Sequence, residues 1–200
     1  MTEKEKSLAG LLYDTSDAEL ADRRALAHDL CTEYNLTKEG EKQRRTEILD
    51  VLLPHRAPGA YLQGPIYFDY GDHIHLGKNF YANFHFTVLD CGEVKIGDDV
   101  MIGPNCSIYT AIHPMLPEER NYRFRKDGTP YNIEFTKPVT IGNNCWICGS
   151  VTILGGVTIG DGCVIGAGSV VVKDIPAGTF AAGNPCRPIR PITEKDRLFK

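Results

Sequence analysis

Isoleucine returns every six residues through the second half of the chain, at Ile141, Ile147, Ile153, Ile159 and Ile165, with Val171 in the next place. The same beat runs through Ile96, Ile102 and Ile108, and glycine often follows the aliphatic residue, as in Ile96-Gly97 and Ile141-Gly142. Four positions after each anchor sits a small or β-branched residue: Val100, Cys106, Cys145, Val151, Val157, Cys163, Ser169. A half-buried strand repeats every two residues and a helix near every 3.6, so neither accounts for a period of six. A hexapeptide β-helix does. Each short strand contributes one inward aliphatic residue and then turns, and stacked coils bury a column of side chains that a single coil leaves exposed.

The 200 residues suffice for one substantial core, and 42% hydrophobic with 24% charged residues is the balance of a soluble globular chain. The net charge of −4 supplies no basic footprint for nucleic acid. No apolar run approaches the ~18 residues of a membrane span. The opening MTEKEKSLAG lacks the apolar core of a secretion signal, so a cytoplasmic location is expected. Seven cysteines include a Cys145-Trp-Ile-Cys148 spacing, but Cys106, Cys145 and Cys163 share the repeat slot of Val100, Val151 and Val157. They read as small buried hydrophobes rather than metal ligands.

Three stretches differ in texture. Residues 1–58 are charged and helix-prone: Ser16 to Glu19 forms a capping box, Leu20, Ala27, Leu30, Cys31 and Tyr34 share one face, and a second helix runs from near Lys38 to Leu53 before Pro54. Residues 59–182 form the solenoid. There Leu76, Ala82 and Val88 keep the six-residue step, and the eight-residue step from Val88 to Ile96 predicts a bulge near Cys91-Gly92-Glu93. The 33 residues between Ile108 and Ile141 are not a multiple of six, so a loop over about 109–138 must leave the coil, carrying His113-Pro114 and a charged run. Residues 183–200 form a Pro-rich, basic tail.

Leu12-Tyr-Asp14, Phe68-Asp-Tyr-Gly71, Asn79-Phe-Tyr-Ala-Asn83, His113-Pro114, Lys137-Pro-Val-Thr-Ile-Gly142 with Trp146, Ile165-Gly-Ala-Gly-Ser169, Val172-Lys-Asp-Ile-Pro176 and Ala182-Gly-Asn-Pro-Cys-Arg187 together resemble the galactoside and maltose O-acetyltransferases, the sugar branch of the hexapeptide-repeat family. The resemblance spans nearly the whole chain. It implies a mainly β, left-handed parallel β-helix with an N-terminal helical segment and an extended loop. It also implies a homotrimer, acetyl-CoA as donor, and active sites between subunits.

Transfer of an acetyl group from a thioester to a hydroxyl requires a base to take the hydroxyl proton, and histidine suits that role near neutral pH. His113 is the histidine in the interrupting loop and aligns with the family's catalytic one. By the same resemblance Asp14, Asp69 and Asn83 match residues that touch the acceptor. Position 69 is serine in the galactoside enzyme and commonly aspartate in maltose-type enzymes. Asp90 and Glu134 are further carboxylates at family positions, and either is suited to orient the sugar or the imidazolium. Gly149 and Ala167 match small positions along the pantetheine arm, with Trp146 as an apolar wall, and Val172, Lys173, Arg187 and Arg190 complete the donor set, the cations meeting phosphates. The expected reaction is direct transfer, without an acyl-enzyme and without a metal. Competing readings are an antibiotic, an amine sugar or serine as acceptor; a metal-dependent hydratase of the carbonic anhydrase type using His73, His75 and His85; and a silent scaffold.

Overall fold

The structure, a computed structural model, describes residues 1–199. Three parallel faces stack into a prism. The first carries Ile74–Leu76, Val94–Ile96, Val139–Ile141 and Thr158–Ile159; the second Tyr61–Leu62, Tyr81–Ala82, Met101–Ile102, Trp146–Ile147, Val164–Ile165 and Thr179–Ala182; the third Ile66–Phe68, Phe86–Leu89, Ser107–Tyr109, Thr152–Leu154 and Val170–Val171. Successive coils place like on like: Ile141 pairs with Ile159, Ile147 with Ile165, and Ile153 with Val171. The six-residue beat is thus one inward side chain per face, and these columns are the core.

The glycine beat follows from how closely the coils stack at the turns. A Cβ on Gly142 would lie 2.3 Å from Asp161 Oδ1 and 2.7 Å from its amide nitrogen. Turn residues after the first face, Asn79, Asp99 and Asn144, have φ of 56°, 55° and 56°, and those after the second, His85, Asn105 and Ser150, have φ of 58°, 59° and 59°. Short polar side chains are among the few that tolerate this left-handed conformation. The cysteines occupy the slots expected of them: Cys106, Cys145 and Cys163 are buried, with Sγ 3.0 Å, 3.1 Å and 3.1 Å from the carbonyl oxygens of Cys148, Gly160 and Pro176 in the next coil.

All large departures from regularity fall on the vertex between the third and first faces. Leu76 stacks on Ile96 and Phe68 on Val88, so the eight-residue step from Val88 to Ile96 has a twin from Phe68 to Leu76 that the blurred early beat conceals. One coil further on, the chain leaves at this vertex for the long excursion, which is folded rather than open. It holds the strand Ala111–Ile112, helix Pro117–Arg120, the paired strands Arg123–Phe124 and Pro130–Tyr131, and the strand Ile133–Thr136. Ile133–Thr136 pairs antiparallel with Ala111–Ile112 on one side and with the N-terminal strand Tyr13–Asp14 on the other.

The N-terminal segment holds α1 (Glu3–Leu8), α2 (Ala18–Leu36) and α3 (Lys42–Leu52). Ser16 does not cap α2. Asp17 does, accepting from the amides of Glu19 and Leu20, while the Ser16 hydroxyl turns back to Asp14 at 2.6 Å. A true capping box, Thr2 with Glu5, opens α1, a helix too short to show periodicity. α3 begins at Lys42 rather than near Lys38, because a turn from Lys38 to Glu41 precedes it (N–H···O 3.0 Å). Ala27, Cys31 and Tyr34 of α2 and Ile48, Leu49 and Leu52 of α3 join the solenoid core, so the two helices plug its first coil. Among the described residues no helix is long and apolar enough to cross a membrane.

Gly142→Ala should lower the unfolding free energy by about 1–3 kcal/mol, the usual cost of overpacking. Gly40→Ala, where an added Cβ meets nothing within 4 Å, should move it by less than about 0.5 kcal/mol. Denaturant titration at one protein concentration measures both.

Candidate active site

The widened vertex is organised by Asp90. Its carboxylate is wholly buried and accepts three backbone bonds from the coil below, Asp69 N–H (3.0 Å) and Tyr70 N–H (3.0 Å) on Oδ1 and Gly71 N–H (2.7 Å) on Oδ2. Its carbonyl lies 2.7 Å from His73 Nδ1. The expectation that Asp90 touches the acceptor is therefore corrected: two successive wide turns bring three amides together, and this carboxylate satisfies them. Burial pushes its carboxyl up to about 7. Asp69, by contrast, is only partly buried, with Oδ1 3.6 Å from His28 Nε2 on α2 and Oδ2 accepting from Cys91 Sγ at 3.4 Å. His28, Tyr67, Asp69 and Leu89 border a cleft of about 240 Å³ beside it.

One coil above Asp90, the excursion carries His113. The three-stranded antiparallel sheet sets its neighbours. Tyr13 pairs with Glu134 and Ile112 with Phe135, so His113, one residue beyond Ile112, comes opposite Glu134. Glu134 is buried; Oε1 accepts the Tyr13 hydroxyl, and Oε2 lies 3.6 Å from Nε2 of the half-exposed His113. Of the two carboxylates suited to orient the imidazole, the fold brings only Glu134 to it. Asp14, next to Tyr13, pairs with Arg125 of the excursion's hairpin, whose guanidinium lies 4.9 Å from the Tyr131 ring centroid.

The remaining candidates divide between two vertices. Asn83, Gly149 and Ala167 turn the corner from second to third face in three different coils and so line one edge. Asn83 Oδ1 accepts the Phe84 amide at 2.7 Å. Trp146 stands outward on the second face, half exposed, and borders the same groove as Asn83 and Gly149. The amides flanking Gly149 are engaged, Cys148 N–H with Ile165 O (2.9 Å) and Ser150 N–H with Pro104 O (2.7 Å). Val172 and Lys173 lie instead on the His113 vertex, exposed. Arg187 and Arg190 sit on the final strand, Arg187–Pro191, which folds back antiparallel along the second face. Arg190 is held by both carboxylate oxygens of Asp196 at 2.9 Å and 2.7 Å; Arg187 donates to the Cys186 carbonyl at 2.8 Å.

The histidines weighed as metal ligands do not converge. His73 turns into the buried vertex, whereas His75 faces out from the first face, stacked on His55 at 4.7 Å and 3.3 Å from Glu93. Among the described residues no three His, Cys, Asp or Glu side chains are grouped to hold an ion.

Residues 6–56 match the family model for the maltose acetyltransferase hexapeptide capping motif, residues 138–173 that for the bacterial transferase hexapeptide (six repeats), and residues 93–113 that for the hexapeptide repeat of succinyl-transferase. The chain is 41% identical over 195 residues to the galactoside O-acetyltransferase of Escherichia coli (strain K12), covering 98% of this chain and 92% of that protein. It superposes on a solved galactoside acetyltransferase in complex with coenzyme A with a TM-score of 0.89, at 40% identity and over 100% of this chain and 96% of that one. For the maltose O-acetyltransferase from Clostridium difficile 630 the TM-score is 0.81, at 44% identity over 97% and 99%. The chain belongs to the galactoside and maltose O-acetyltransferase family.

Two side chains of this family member at the site escaped the sequence reading. Arg24 donates to the Tyr70 hydroxyl at 3.1 Å, and His28 faces Asp69. Their i, i+4 spacing on α2 was the available signal, since it puts both on one helix face. The third–first vertex thus gathers Asp69, Glu134 and His113, while Asn83 lies on a different edge of the same chain.

Asp90→Asn leaves an amide nitrogen facing the Gly71 N–H, a loss of about 1–3 kcal/mol. Because burial raises this carboxyl above its unfolded value, its stabilisation is full below about pH 4 and declines as pH rises through about 7. The stability gap between wild type and Asp90→Asn should therefore be wider near pH 5 than near pH 8, read by urea unfolding at both.

Proposed function

We propose that this chain transfers an acetyl group from acetyl-CoA to a hydroxyl of a galactoside- or maltose-type sugar, with His113 as general base. One observation carries the reading: the register of the excursion's sheet puts a half-exposed imidazole against a buried carboxylate, His113 Nε2 to Glu134 Oε2 at 3.6 Å, on the same vertex as the cleft that Asp69 borders. The sugar oxygen bonds to the thioester carbonyl carbon while its proton passes to His113. The C–S bond then breaks, and the imidazolium returns the proton to the CoA thiolate. Glu134 holds the ring and offsets its transient charge. The Gly149 N–H, set between two engaged amides, faces the oxyanion, a contribution often worth a few kcal/mol. Asp69, Asp14 and Asn83 meet sugar hydroxyls, Asp14 once Arg125 yields it. Gly149, Ala167, Trp146 and Val172 border the pantetheine arm, and Lys173, Arg187 and Arg190 meet the phosphates.

The site is completed by a neighbouring subunit. The outward residues of the second face form an unbroken ladder of Tyr61, Tyr81, Met101, Trp146, Val164 and Phe180, whereas the first face shows His75, Lys95, Thr140 and Thr158. An apolar face of this extent is suited to association. A homotrimer packed on it would bring different subunits' residues together, and the separation of the Asn83–Gly149–Ala167 edge from the His113 vertex within one chain supports sites shared between subunits.

His113→Ala should keep its fold and assembly and lose about 10²–10⁴-fold in kcat, followed by thiol release from acetyl-CoA with a panel of sugars, amine sugars and serine. Near-normal turnover would reject the assignment. Trp146→Glu, which puts a charge in the middle of the ladder, should convert trimers to monomers in sedimentation velocity and abolish activity together with assembly.

A further inference from the structure

We infer that Tyr13, in the N-terminal strand, is a positioning residue for the transfer reaction: its hydroxyl fixes the Glu134 carboxylate so that one oxygen is left for His113. The inference rests on the reading of His113 as general base, and it goes beyond that reading by making the N-terminal segment part of the catalytic apparatus.

Ile133–Thr136 is the middle strand, flanked by Tyr13–Asp14 and Ala111–Ile112. Tyr13 is the register partner of Glu134 from one side, and the residue after Ile112 meets it from the other. Tyr13, Glu134 and His113 therefore form one row across three strands, and residues directly opposite in antiparallel strands carry their side chains on the same face. A row of this kind holds its members through backbone pairing, not through side-chain packing alone.

Burial, reinforced by the neighbouring Cys91 and Glu134, drives the Tyr13 phenol far above its ordinary range, so it keeps its proton and acts as a donor. Its ring is buried with Leu20, Tyr70 and Cys91, which leaves the hydroxyl little freedom to point elsewhere. A carboxylate has two oxygens. Here one is taken by the hydroxyl of a buried ring, and the other is turned toward the imidazole. Without the phenol, the Glu134 carboxylate could rotate, and a small misplacement of catalytic groups can cost about 10²-fold in rate.

The segment that carries Tyr13 is itself fastened to this vertex. Thr136 Oγ1 donates to the Ser7 carbonyl at 2.6 Å, Ser7 Oγ donates to the Cys91 carbonyl at 2.6 Å, and Asp14 N–H donates to Glu3 Oε2 at 2.6 Å. These bonds hold α1 and the strand after it against the excursion. None of them touches His113.

Tyr13→Phe keeps the ring and removes only the hydroxyl. Steady-state kinetics over a pH series should give kcat lower by about 10- to 100-fold with the KM for acetyl-CoA within about twofold of wild type. The acid limb of kcat/KM should shift as well, because the carboxylate facing the imidazole is no longer held in one orientation. Glu134→Gln should lower kcat likewise, and Tyr13→Phe added to it should cause little further loss. A merely structural phenol would lower melting temperature and active fraction without moving the pH limb or splitting kcat from KM. If wild type transfers acetyl and His113→Ala is inactive while Tyr13→Phe keeps wild-type kcat and pH profile, the role of Tyr13 is overturned and the base assignment stands. If His113→Ala is itself fully active, both fall.

Discussion

The structure depends on the close approach of backbones where one coil turns above the next. At Gly142 the space beneath the turn is smaller than a methyl group, and the same closeness recurs at Gly97 and Gly103, each with a backbone atom of the next coil within 3 Å of the missing Cβ. That contact fixes the coil at three faces and makes aliphatic columns coincide. It also limits where variation is possible. Two vertices keep tight turns throughout, and the third alone widens, by two residues in each of two coils and by a whole subdomain in the next.

A functional site on such a scaffold inherits its rigidity. The widened turns are held by Asp90, which replaces the missing stacking contact with three amide bonds to a buried carboxylate. The excursion is held by a sheet with the N-terminal strand. Catalytic geometry so arranged needs little reorganisation when substrates arrive, which is the condition under which oriented groups and dipoles contribute most to rate. The division of candidate residues between two vertices of one chain has a second consequence. No single prism brings Asn83 to His113, so the proposed reaction needs two copies of the chain to meet, and the apolar face that carries Trp146 is the surface we propose for that contact.

How much of this could be read in advance follows from the range of each interaction. The solenoid was legible because its core is a local rhythm: a residue six positions on has the same environment, and Cys106, Cys145 and Cys163 betrayed their packing role by occupying that rhythm's slots. The wide turn after Val88 and the departure after Ile108 were legible as breaks in it. The earlier wide turn after Phe68 was hidden by aromatic residues that blurred the beat. Ser16 and Asp17 are both able to cap a helix, and local pattern does not choose between them. The pairing of Tyr13–Asp14 with Ile133–Thr136 joins two short segments more than a hundred residues apart, with no periodicity of their own. For that reason the sequence could nominate both Asp90 and Glu134 as partners for His113, whereas the fold separates them, one sealed within a turn and the other set beside the imidazole. Arg190 likewise read as a free cation until the tail turned Asp196 onto it.

The central claim is that this fold holds an imidazole where a hydroxyl and a thioester meet. A crystal structure of the assembled protein with CoA and a sugar acceptor bound tests it most directly. The account predicts a His113 ring nitrogen within about 2.6–3.2 Å of an acceptor hydroxyl, with the CoA sulfur beside it and Asn83 contributed across the subunit boundary. A His113 ring open to solvent, with both ligands bound away from the third–first vertex, would contradict it.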